Sequence, residues 1–224
     1  MIVGGIILSG GKSRRMGEPK EWLTLGGEPM LCRVAQQLGE VVNPIVVVAA
    51  EGQALPFLPP QVLIAHDARP DRGPLEGLRA GLQALAAQTS PALDAAFVVS
   101  CDVPLLRAAF IRRMIDLLDD SADAAVPDDG QRLHPLAGVY RLSVLKAVDG
   151  LLATDQRRLR DLCAAIRTRR VPTAELRDVD PNLASLINVN CPEELTRARS
   201  AYESATSISP TSNHTTKNAT PKTT

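Results

Sequence analysis

Short apolar runs of β-branched character recur along the chain: "IVGGIIL" after Met1, "PIVVVAA" at 44–50, "QVLIA" at 61–65, "AAFVVS" at 95–100 and "AAVP" at 124–127. Each is too short for a buried helix and is followed by a turn, so each predicts a buried parallel strand. Between them the apolar residues take helical spacing. "MLCRVAQQLGE" puts Leu31, Val34, Ala35 and Leu38 on one face. "PLEGLRAGLQALAAQ" does the same with Leu75, Leu78, Leu82 and Leu85, and "LLRAAFIRRMIDLLDD" with Leu106, Phe110, Met114 and Leu117. Strands alternating with amphipathic helices imply right-handed crossovers, and so an α/β fold: a single domain with a mainly parallel sheet flanked by helices. Ligands of such sheets sit beyond the carboxyl ends of the strands.

The pattern stops near residue 203. "ESATSISPTSNHTTKNATPKTT" carries almost no apolar residue beyond Ile208 and cannot repay its ordering entropy. The expected organisation is a domain over 1–202 and a disordered Ser/Thr-rich tail over 203–224. "NHT" and "NAT" in the tail match the N-glycosylation pattern, but no signal peptide is expected ahead of them, and chance is the expected explanation. The opening "MIVGGIILSGG" is too short to span a bilayer and lacks a basic leader, so a cytoplasmic protein is expected.

Composition narrows the chemistry. Of 224 residues, 45% are hydrophobic, enough for a core without disulfide or structural metal. Lys plus Arg and Asp plus Glu number 25 each, so no net field draws the chain to nucleic acid or an anionic membrane, and anion recognition must be local. Cys32, Cys101, Cys163 and Cys191 form no CxxC pair and read as buried free thiols.

The local anion site is "LSGGKSRRMGEPK", residues 8–20, directly after the first strand. A P-loop of spacing GxxxxGK(S/T) would need glycine at position 6, and Ile6 is there. What remains is a turn whose Gly10 and Gly11 let successive backbone N–H groups face a phosphate, with Arg14, Arg15 and Lys20 adding charge. "FVVSCDVPLL" sets Asp102 just past the carboxyl end of a strand, where a carboxylate can hold Mg²⁺ on a phosphate. "AHDARPDRGPLEGL" offers Asp67 and Asp71 ahead of a helix that starts near Pro74. "HPLAGVYR" sets His134 before a further apolar strand, as a structural hydrogen bonder or a site residue. "INVNCPEEL" alternates Asn188 and Asn190 onto one side, with Asn190 also a candidate cap for the helix at Pro192. Arg157, Arg158 and Arg160 in "DQRRLRDL" read as a solvated helix face, with an acceptor-phosphate contact as the minor reading. No Ser/His/Asp triad or Cys/His pair is present, which suits transfer by positioning and charge neutralisation.

"LSGGKSRRMGEPK" resembles the signature LxGGxSxRMGxxK of nucleotidyltransferases of the molybdenum cofactor guanylyltransferase family, within the Rossmann-like nucleotide-diphospho-sugar transferase fold. "DRGPLEGL", "SCDVPLL", "HPLAGVYR" and "NVNCPEEL" follow in the family's order. The resemblance implies transfer of GMP from Mg-GTP to the terminal phosphate of molybdopterin, with release of pyrophosphate. It implies nucleotide contacts from Leu8, Ser9, Gly10, Gly11, Lys20, Asp67 and Asp102, with Arg14, Lys20 and Asp102 catalytic. It further implies Mg²⁺ on Asp102 and an acceptor site near His134, Asn188 and Asn190. The implied partners are GTP, molybdopterin, other cofactor-biosynthesis proteins and molybdoenzymes. The family often carries an asparagine after the second strand, where this chain has Ala49 and Ala50. A molybdopterin cytidylyltransferase, a sugar-phosphate nucleotidylyltransferase and a non-catalytic cofactor-delivery module stay open as alternatives.

Overall fold

The structure, a computed structural model, describes residues 1–9, 18–67, 73–88 and 92–207. Among these the strands are β1 (Val3–Ser9), β2 (Thr24–Leu25), β3 (Glu28–Pro29), β4 (Ile45–Ala50), β5 (Val62–Asp67), β6 (Ala95–Ser100), β7 (Ala124–Asp128), β8 (Ala137–Arg141) and β9 (Thr168–Pro172). The helices are α1 (Met30–Gly39), α2 (Pro74–Ala86), α3 (Ala108–Asp116), α4 (Leu145–Ala153), α5 (Leu159–Ala165) and α6 (Pro192–Ser207). The last helix crosses the expected boundary at 202–203, and the rest of the tail lies outside the described residues.

Seven strands form one sheet in the order β5-β4-β1-β6-β8-β7-β9. Consecutive residues of β1 and β4 serve opposite faces, as period-2 geometry requires. Ile7 and Val47 pack with Leu31, Leu38, Phe110 and Met114 under α1 and α3. Ile6, Leu8, Val46 and Val48 pack with Leu78, Leu82, Val148 and Leu162 under α2, α4 and α5. Burial on both faces is why these strands read as unbroken apolar runs.

Two strand expectations change. "QVLIA" becomes β5, parallel to β4 but at the sheet edge, so none of its residues is fully buried, and Ile64 is 52% exposed. β7 keeps the common direction, yet its neighbour toward the centre is β8, antiparallel to both β6 and β7. The segment 129–136 between β7 and β8 is too short for a parallel crossover, which takes about a dozen residues or more, so the chain turns back. The thiols also divide: Cys101 and Cys163 are buried, whereas Cys32 and Cys191 are partly exposed.

A third, smaller core lies beside the carboxyl edge of the sheet. Leu23, Leu25 and Met30, from the β2–β3 hairpin region and the start of α1, meet Val189, Leu195 and Ala198 from the last segment. α6 closes on this core: Arg199 donates twice to the Thr24 carbonyl at 3.3 and 3.1 Å, and the Arg33 guanidinium stacks 4.2 Å above the Tyr202 ring. Gly26, with φ +61°, passes under that ring so closely that a Cβ would lie 2.5 Å from it.

Candidate active site

The parallel strands end together at one edge, where Ser9 pairs with Ala49 and Ala50 pairs with Asp67. Leu8 pairs with Ser100 of β6, and the next two residues are Cys101 and Asp102. Asp102 is buried, and both of its carboxylate oxygens are engaged. Oδ2 accepts from Lys20 Nζ at 2.8 Å, and Oδ1 accepts from Asn188 Nδ2 at 2.8 Å. Lys20 Nζ also donates to Asn190 Oδ1 at 2.7 Å. The four side chains form one charge-assisted network.

Local chain geometry explains how each arrives. Val189 is fully buried in the small core and donates its N–H to the Asp102 carbonyl at 2.8 Å. Its neighbours Asn188 and Asn190 therefore project together toward Asp102 and Lys20. Lys20 opens a single 3-10 turn, Lys20–Trp22, closed by the Leu23 N–H donating to the Lys20 carbonyl at 3.2 Å, with Leu23 anchored in the small core. α6 starts at Pro192, so Cys191 and not the candidate Asn190 stands immediately before it, and the Asn190 side-chain oxygen accepts from Lys20 instead. Cys191 precedes Pro192, and the Glu194 carboxylate reaches back to the Asn190 N–H at 2.6 Å. The Cys101 thiol is pushed up to about 12 by burial first and the Asp102 carboxylate second, so it stays protonated and is no nucleophile.

Next to the network opens a cleft of about 540 Å³, floored by Val103, Leu133 and Leu186 and rimmed by His134, Arg158 and Asn188. His134 is held in place: its Nε2 lies 2.8 Å from Asp129 Oδ2. Asp129 also accepts the N–H groups of Gln131 and Arg132, each at 2.9 Å. His134 first, then these backbone donors, hold the Asp129 carboxyl well below the usual range. His134 is thus a satisfied hydrogen bonder and also one of the residues that line the cleft. Arg157 and Arg158 are not on a helix face, since α5 starts at Leu159. The Arg157 carbonyl accepts the Leu75 N–H at 3.3 Å in the first turn of α2, and Arg158 and Arg160 line the cleft.

The structure therefore brings Lys20, Asp102, Asn188 and Asn190 into contact, with His134 lining the same cleft as Asn188. Leu8 and Ser9 are buried at the end of β1, and the Leu8 carbonyl is taken by the Cys101 N–H at 3.1 Å. Asp67 closes β5, two strands away from β1, half-buried. Gly10, Gly11, Arg14, Arg15 and Asp71 lie outside the described residues. Two residues next to the network, neither of them hydrogen-bonded to Asp102, carry no sequence signal. Glu21 is buried and accepts from Gln53 Nε2 at 2.6 Å, and Gln53 Oε1 accepts the Ala50 N–H at 2.9 Å. Among the described residues no three His, Cys, Asp or Glu side chains gather as a metal cluster. A buried carboxylate with the Asn190 amide oxygen close by is a donor set that Mg²⁺ can use, since that ion keeps waters and takes its other ligands from phosphates.

Residues 5–171 match the family described as a MobA-like NTP transferase domain. A molybdenum cofactor guanylyltransferase from Desulfosudis oleivorans is 34% identical over 202 residues, 90% of this chain and 96% of the relative. A probable molybdenum cofactor guanylyltransferase from Methanothermobacter thermautotrophicus is 35% identical over 198 residues, covering 84% and 95%. The fold is shared with molybdopterin-guanine dinucleotide biosynthesis protein A from Archaeoglobus fulgidus (TM-score 0.74, 19% identity, 90% of this chain and 99% of that one). It is shared too with 2-C-methyl-D-erythritol 4-phosphate cytidylyltransferase from Thermus thermophilus (TM-score 0.66, 16% identity, 91% and 100%). Among the described residues no helix is long and apolar enough to cross a membrane.

Proposed function

Because the chain belongs to the MobA-like NTP transferase family and is a nucleotidyltransferase of molybdenum cofactor biosynthesis, we propose that it transfers GMP from GTP to the terminal phosphate of molybdopterin. An acceptor phosphate oxygen attacks the α-phosphorus of GTP in line. The bond from that phosphorus to the bridging oxygen breaks, and pyrophosphate leaves. The observation that carries this reading is the Asp102 carboxylate, held by Lys20 and Asn188 at 2.8 Å each, just beyond the end of β6.

In this reading the nucleotide lies across the carboxyl edge of β1 and β4, with its phosphates at the end of β1. Lys20 and Arg14 balance charge on the transferring and leaving phosphates. Asp67 faces the nucleoside end. Asp102 is the residue that would hold Mg²⁺, and its donor chemistry fits that ion. When bound, the metal supplies charge neutralisation on the phosphate oxygens. The acceptor occupies the neighbouring cleft between His134, Asn188 and Asn190, where the apolar floor suits a flat heterocycle and the rim suits its phosphate. Preorganised charge and alignment carry the reaction without a covalent enzyme intermediate.

Pyrophosphate release by the purified protein with Mg²⁺, molybdopterin and each of GTP, CTP, ATP and UTP in parallel tests the proposal. A signal with GTP alone is expected. A signal with CTP instead would overturn guanine transfer, a real alternative because Ala49 and Ala50 offer no side-chain amide to the base. Silence with all four nucleotides would overturn molybdopterin as the acceptor.

A further inference from the structure

We propose that Glu21 and Gln53 are a positioning pair that sets Lys20 against Asp102, an inference that rests on the use of Lys20 in the transfer proposed above. The turn Lys20–Trp22 is three residues long, and one 3-10 turn has too few internal bonds to hold its own orientation. With about three residues per turn, consecutive side chains leave roughly 120° apart. The side chains of this turn follow that geometry. Lys20 reaches Asp102 and Asn190, Trp22 Nε1 donates to the Ala54 carbonyl at 3.0 Å, and Glu21 turns inward, 7% exposed, to Gln53.

Gln53 uses both ends of its amide. Its Nε2 donates to Glu21 at 2.6 Å and its Oε1 accepts the Ala50 N–H at 2.9 Å. The tie therefore runs from the last residue of β4, a strand fixed on both sides in the sheet, to the residue next to Lys20. Lys20 has a long, rotatable side chain, and its aim depends on where its backbone is held. A displacement of about 1 Å at a positioning group can cost on the order of 10²-fold in rate. Glu21 and Gln53 touch no reacting atom in this account and act through Lys20.

Exchanging the two partners separates positioning from mere packing. Gln53→Glu sets two carboxylates against each other across the 2.6 Å contact, which weakens the tie by repulsion at pH values where both are ionised, the condition of the assay. Gln53→Met removes both hydrogen bonds without adding charge. Glu21→Gln alone keeps an acceptor for Gln53. The double variant E21Q/Q53E restores both bonds with the donor reversed, since the new amide donates to the new carboxylate, which still accepts the Ala50 N–H. The expected kcat per folded molecule, measured well below each variant's Tm, falls about 10-fold or more in Gln53→Glu and Gln53→Met. It stays near the parent in Glu21→Gln and returns to within about threefold in the double variant.

The Lys20 amine gives a second readout that needs no turnover. Its acylation rate by a small reagent, read by mass spectrometry, is expected to rise several-fold in Gln53→Glu and Gln53→Met and to recover in the exchange. Parental kcat in both Gln53 variants would overturn the pairing. So would a double variant as slow as Gln53→Glu, or a lowered Tm with unchanged kcat and labelling. A parent that releases no pyrophosphate with any nucleotide would refute the proposed function instead, and Lys20 labelling would then decide the pairing alone.

Discussion

At the scale of single residues, Asp102 is held by one charged and one neutral donor, and the two should not count equally. Asp102→Ala removes the carboxylate itself, and turnover is expected to fall about 10²-fold or more, the cost of losing a preorganised electrostatic group. Asn188→Ala leaves the bond from Lys20 in place, so a smaller loss of about 10-fold is expected. Steady-state kinetics of the two variants side by side give the order, and the reverse order would contradict the roles assigned here. Asp129 allows a prediction on pH. Its folded-state titration is lowered, chiefly by His134, so the stability it contributes is present above the usual carboxylate range and is lost as pH falls through the lowered value. Asp129→Asn should therefore be less stable than the parent at pH 7, and the gap should close under acid. Urea denaturation at several pH values would show it, and a gap that widens in acid would refute it.

At the scale of elements, the segment that delivers Asn188 depends on a buried carboxylate. Asp180 is fully buried and accepts the N–H groups of Ala184 and Ser185 at 3.1 and 2.8 Å, while Ser185 Oγ accepts the Arg107 N–H at 3.1 Å at the start of α3. Asp180→Ala leaves those donors unpaired, and a loss of about 2–4 kcal/mol is expected from urea denaturation. A loss within experimental error would remove this loop brace. α2 is seated so closely on β1 that a Cβ at Gly81 would lie 2.6 Å from Ile6 Cγ2. Gly81→Val is expected to lift the helix and cost about 1–3 kcal/mol, read as a fall in Tm.

The apolar runs and their period identified β1, β4 and β6 and the helices α1 and α2 nearly to the residue, because burial on both faces leaves no other pattern for such strands. The same signal could not say that β5 stands at an edge. It could have said that β8 runs backward, since the short segment 129–136 permits nothing else. Arg157 and Arg158 read from the sequence as part of a solvated helix face, although α5 begins only after them.

At the scale of the molecule, the site is a product of topology. Lys20 and Asp102 are 82 residues apart in sequence, and Asn190 is 170 from Lys20. The sheet edge gathers the strand ends, and the small core around Val189 delivers the asparagines to them. The place of Asp102 was legible because it comes just past the end of an apolar strand, and the common side of the asparagines because they alternate along an extended segment. The Glu21–Gln53 tie was not legible, since it joins residues 32 apart through no repeating pattern. The most direct test of the whole account is transfer of label from α-labelled GTP into molybdopterin, by the parent and by Asp102→Ala under the same conditions with Mg²⁺. The account predicts a labelled dinucleotide product from the parent and about 10²-fold slower formation by the variant. Equal rates from the two proteins, or no labelled product from the parent, would contradict it.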